Sequence, residues 1–143
     1  MDKCFLIPAL LMLPMSFRDI REREVTVGEL AAFFSVEFLI SVMDIFAGKN
    51  EIEKMAAGLI PGLFLWILSK AFGMFGEADA WVMAGLGMHL GLFRSIFILM
   101  AGLISAAVIN LLAVLFKRLS ATARVPFIPY INAGIVSVGL LLG

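Results

Sequence analysis

Six long apolar runs, each ended by a short polar break, fill nearly all of this 143-residue chain. That pattern constrains the fold more than any single motif. Hydrophobic residues make up 62% of the sequence and charged residues only 15%, against about half and a quarter in a typical soluble domain. A core of this size cannot bury so much apolar surface, so a lipid bilayer must cover the rest. The pattern predicts an all-α, polytopic membrane protein with six transmembrane helices, and a single integral membrane domain over residues 1–143 with no room for a soluble second one.

The expected spans run from about Met1 to Phe17, Val27 to Phe46, Met55 to Phe72, Ala80 to Leu92, Ser95 to Phe116 and Ile131 to Leu142. The first is short for a hydrocarbon core of ~30 Å and carries Pro8 and Pro14. It lacks a small-x-small cleavage site and meets a charged run at once, so it reads as a retained span rather than a removable signal. Pro61 predicts a kink in the third span. Arg94 marks the turn after the fourth. Gly58 and Gly62, four residues apart, suit a close helix–helix contact.

Arginine and lysine orient the drawing. With the loop after the first span inside, the inner ends hold Arg18, Arg21, Arg23, Lys70, Lys117, Arg118 and Arg124, and the outer ends only Lys3, Lys49, Lys54 and Arg94. Eleven basic side chains balance eleven acidic ones, so no nucleic-acid surface is expected. One cysteine, Cys4, excludes an internal disulfide and a thiolate metal cluster. Neither a metal nor any other cofactor is expected.

Two aspartates stand out. Asp19 lies in Ser16-Phe17-Arg18-Asp19-Ile20-Arg21, and Asp79 in Phe75-Gly76-Glu77-Ala78-Asp79-Ala80. An even number of crossings separates them, which puts both on one side of the bilayer. Two carboxylates together in a partly dry site can activate water against a peptide bond. Each has an ordinary explanation too. Asp79 could simply be a helix N-cap, and Asp19 could belong to a solvated juxtamembrane charge run, Arg18 to Glu24.

The surrounding residues resemble a known family. Asp19-Ile20-Arg21-Glu22-Arg23-Glu24-Val25 resembles the first catalytic motif of the type IV prepilin leader peptidases. Gly76-Glu77-Ala78-Asp79 is similar to their Gly-x-Gly-Asp signature, and Arg124-Val125-Pro126-Phe127-Ile128-Pro129-Tyr130-Ile131-Asn132-Ala133-Gly134 resembles their Pro-Phe-x-Pro stretch. The resemblance implies a six-span intramembrane aspartic protease of the cytoplasmic (inner) membrane, active at its cytoplasmic face. Its partners would be prepilins or pseudopilins that carry a leader and a hydrophobic helix, serving type IV pili or protein secretion. Asp19 and Asp79 become the catalytic pair, with Gly76, Ala78, Pro126 and Pro129 shaping the site.

Two residues depart from the pattern. Ala78 stands where the family usually has its second glycine, and Trp81 where a lysine often follows the aspartate. If the loop needed a positive φ at Ala78, alanine would be disfavoured. The cysteine-containing segment of longer members is absent from this sequence, which implies the short, cleavage-only branch without methyltransferase activity or zinc.

Other polar residues fall inside spans. Glu37 near the middle of the second span is an expensive charge unless it is partnered. It reads first as a hydrogen-bonded packing residue and second, with Asp44, as part of a cation path. His89 reads as a satisfied structural histidine far from the dyad, and Asn110 and Asn132 as interhelical hydrogen-bonders. Two rivals to a protease follow: a small ion-coupled transporter, or an inactive membrane assembly subunit of the same fold.

Overall fold

The structure, a computed structural model, describes residues 3–73, 75–116 and 125–142. Those residues are helical with no strand among them, in the order α1 Lys3–Glu22, α2 Val27–Phe46, α3 Ile52–Gly58, α4 Ile60–Phe72, α5 Glu77–Leu90, α6 Leu92–Leu115 and α7 Ile128–Leu142. The basic loop from Lys117 to Arg124 lies outside the described residues.

Helix α1 runs five residues past the expected end at Phe17 and takes Asp19 with it. Arginine and glutamate are good helix formers, and Arg18 pairs with Glu22 at 3.5 Å across one turn. The charged run from Arg18 to Glu22 is therefore the end of a helix rather than a loop. Arg23 ends it in the left-handed region at φ 55°, its amide donating to the Asp19 carbonyl at 3.0 Å. Helix α2 starts where the sequence predicts. Thr26 and Glu29 form a reciprocal capping box, and Arg18 reaches Glu29 at 3.2 Å, tying the start of α2 to the end of α1.

The third expected span is broken rather than bent. The break falls at Leu59, between α3 and α4, and Pro61 occupies the first turn of α4. Proline has no amide to complete the ladder and fits the start of a new helix. Between α5 and α6 the turn is at Gly91, whose φ of 83° suits glycine, and not at Arg94. Arg94 sits in the first turn of α6 with its guanidinium 5.5 Å from the ring centre of Phe5.

Helix α5 is the centre of the molecule, with ten of its fourteen residues buried. It packs on α2, α3, α4 and α6, while α7 lies between α1 and α6. Small residues allow the close approaches. A methyl added at Gly58 would lie 1.8 Å from the Gly87 carbonyl oxygen, and one at Gly87 would lie 1.7 Å from that of Gly58. The Gly58/Gly62 pair is thus a packing face turned to α5.

The exterior is apolar and part of the interior is polar. On α2 the buried residues are Phe33, Glu37 and Ser41, while Leu39, Met43 and Phe46 face outward, Phe46 at 87% exposure. A soluble helix shows the reverse. By length and composition two helices can cross a membrane, Ile52–Phe72 taken through its break and Leu92–Leu115. Helices α1 and α2 carry too many charges for that criterion, and α5 and α7, at 14 and 15 residues, are short for it.

Candidate active site

The ends of α1, α5 and α7 enclose a cavity of about 600 Å³, and both Asp19 and Asp79 line it. Asp19 is 8% exposed and Asp79 6%. The rest of the lining comes from Arg23, Glu24 and Val25 after α1, Phe75 to Ala78 before and within α5, Val125 to Ile128 before and at the start of α7, and Leu103, Ala106, Ala107 and Asn110 on α6. Among the described residues, four carboxylates and one guanidinium line this space.

Each aspartate is oriented by the start of a helix. The Ile128 amide, first in α7, donates to Asp19 Oδ2 at 3.2 Å, across 109 residues of sequence. The segment Pro126 to Pro129 explains why that amide is available. Pro129 has no amide, and the Tyr130 and Ile131 amides both turn back to the Phe127 carbonyl, at 3.0 and 3.1 Å. A free helix N-terminus is a natural seat for a carboxylate.

Asp79 is not the N-cap of α5 but its third helical residue. Its Oδ2 reaches back to accept from the Gly76 amide at 2.9 Å, and Gly76 is the N-cap. Gly76 has an extended backbone, φ −72° and ψ 149°, that any residue can adopt. Space there is tight, since an added methyl would lie 3.2 Å from Asp79 Oδ2 and the carboxylate would have to give way slightly. Phe75 and Phe127, with ring centres 5.3 Å apart, join the segment before α5 to the one before α7. Lys70 pairs with Glu77 and bridges the turn from α4 to α5.

Ala78 lies in the first turn of α5, and among the described non-glycine residues only Arg23 has a positive φ. The backbone strain that alanine would suffer in a glycine-type turn does not arise. Trp81 is half exposed, packs edge-on against Phe34 of α2 at 5.6 Å, and is no part of the lining. Pro126 lines the cavity. Pro129 lies behind the lining, in the first turn of α7, and acts through the amide pattern.

The other polar residues pair across helices. The Tyr130 hydroxyl approaches Asn110 Oδ1 at 3.4 Å, and Asn132 Nδ2 approaches Ser16 Oγ at 3.5 Å, both long contacts. His89 Nδ1 and Glu37 Oε2 lie 2.6 Å apart, both buried, at the end of α5 away from the cavity. Each of these two residues stood out in the sequence, but nothing in spacing paired them over 52 positions. Among the described residues no group of three acidic, histidine or cysteine side chains is arranged to hold a metal.

The helical scaffold has an apolar exterior and holds two buried carboxylates in one pocket. The family model for the type IV leader peptidase family matches residues 4–111, and the chain belongs to that family, a family of proteases. The match contains Asp19 and Asp79 and stops before the Pro126–Pro129 segment. Neither a curated protein nor a solved structure matches the chain.

Proposed function

We propose that this protein is an intramembrane aspartic endopeptidase that removes the leader from prepilin-like proteins, with Asp19 and Asp79 as its catalytic pair. The observation that carries this reading is the shared cavity, in which each carboxylate is oriented by a backbone amide at a helix start. One carboxylate takes a proton from water as the oxygen attacks the scissile carbonyl carbon. The other, protonated, donates to the carbonyl oxygen. When the carbon–nitrogen bond breaks, the amine leaves with a proton returned from the dyad. The pair shares one proton, because two close carboxylates do not both ionise cheaply, and its titration belongs to the two together.

In this reading residues 1–143 form one peptidase domain with six spans in the cytoplasmic membrane, α3 and α4 together making the third. The basic residues at the ends of α1 and α4 favour a cytoplasmic side for the cavity. The substrate lays its hydrophobic helix beside the protease, and the acidic lining favours a basic peptide segment over an acidic one. Glu37 supports the carrier reading poorly, since it is bonded to His89 in a closed interior and is remote from the cavity. The helical backbone at Ala78 removes the main reason to read the site as inactive.

The test is co-expression with a prepilin from the same genome, read as a gel shift for leader loss. Cleavage by the wild type, abolished by Asp19→Ala and by Asp79→Ala, is the expected result. A wild type that cleaves no cognate prepilin overturns the proposal.

A further inference from the structure

Helix α5 carries Asp79 and is buried over most of its surface, with Glu77 and Trp81 on its outward side. Val82, Met83 and Leu86 are fully enclosed, and Ala80, Met88 and Leu90 nearly so. A helix that is apolar on most of its faces is held in the core by burial, but burial chooses its rotation only weakly. A slip of one residue would turn it by about 100° and move Asp79 about 1.5 Å along the axis. Something directional must choose the register.

The glycine contact with α3 limits approach on one side. On the α2 side the directional contact is Glu37 Oε2 to His89 Nδ1, at 2.6 Å, with the side chains 0% and 3% exposed. A contact that short needs a proton between the two atoms, whichever of them carries it. Glu37 Oε1 is buried without a partner among the described residues. That orphan oxygen is costly, and an apolar pair of similar size would cost the fold less. What leucine cannot supply is a directional bond, and register is the best-attested use of a buried polar pair.

We propose that the Glu37–His89 hydrogen bond is a register lock that fixes the rotation and axial position of α5 on α2, and so places Asp79 in the cavity. His89 is ten residues beyond Asp79, about 15 Å along the helix, so neither partner touches substrate. They are positioning residues. The effect on turnover rests on Asp79 being catalytic; the effect on register does not.

The experiment uses the full-length protein in detergent micelles with a prepilin substrate. Trp81 reports register directly, because it packs on Phe34 of the same α2. In a Trp66→Phe background its emission is read beside kcat and KM. Glu37→Gln keeps the shape and can donate or accept at Nδ1, and is expected to stay within about threefold of wild-type kcat with unshifted Trp81 emission. Glu37→Leu, His89→Leu and the double leucine variant are expected to lose about 10- to 100-fold in kcat, with KM within about twofold and Trp81 emission shifted.

A double variant with wild-type kcat and emission overturns the proposal. So does a Glu37→Gln protein as inactive as Glu37→Leu, which would mark proton or ion transfer instead of positioning. If the leucine variants do not fold, Glu37→Gln decides alone. If no variant or wild type cleaves while the leucine variants shift Trp81 emission, the register lock stands and the peptidase reading falls.

Discussion

The two buried acidic sites solve one problem in opposite ways. Asp79 sits at the start of α5 and Asp19 near the end of α1 beside the start of α7, so amides at helix starts supply their hydrogen bonds and the cavity gives room for a substrate. Glu37 sits in mid-helix, where every backbone amide is already used, so its partner must be a side chain from another helix. A carboxylate oriented by fixed amides can gain or lose a proton to a bound molecule while the scaffold stays still. One that bonds to histidine in a closed interior holds two helices together. The contrast teaches that burial alone does not mark a catalytic carboxylate. What separates the sites is which groups bind the oxygens and whether space lies beside them.

The sharpest way to break the comparison is at the dyad. Asp19→Asn or Asp79→Asn keeps shape and hydrogen bonding at the helix starts but removes the acid–base group, and leader cleavage should fall about 10²- to 10⁴-fold with Tm nearly unchanged. Cleavage retained in either variant would make that aspartate no more than a cap. Next comes the helix contact that both sites depend on. Gly87→Ala drives a methyl into the Gly58 carbonyl, so it should cost about 1–3 kcal/mol, seen as a lower Tm in detergent.

Smaller changes sharpen the picture. Arg23→Gly relieves the left-handed backbone after α1 and should raise stability by about 1 kcal/mol, read as a higher Tm. Unchanged Tm would mean that the Arg23 side chain offsets the strain. Ala78→Gly should leave cleavage within about threefold and lower stability by about 0.5–1 kcal/mol, because glycine weakens a helical position. A large gain in cleavage from that change would show that alanine compromises the natural site.

Much of the helical frame was legible in the residues. Helix α2 begins at Val27 and ends at Phe46 before the polar run Gly48 to Lys54, as the apolar pattern indicated. Gly58 and Gly62 read correctly as a packing face. The extent of α1 was not legible, since a charged run suits a solvated loop and a helix end equally well. The pairing of its Arg18 with Glu22 and Glu29 favours the helix. The Pro126–Pro129 segment stood out by its prolines, but its Ile128 amide serves a carboxylate 109 positions away.

Composition determined by itself that this chain is helical and meant for lipid, because its apolar residues exceed what its own core can hide. The residue types around Asp19 and Asp79 pointed to the family because their motifs are short and local, legible without the fold. Tertiary structure decided the rest. Only packing brings the starts of α5 and α7 to the end of α1, and only packing sets Glu37 beside His89. Hydrophobicity has no direction, so it can gather the helices but cannot turn them. Hydrogen bonds and backbone contacts between distant residues do that.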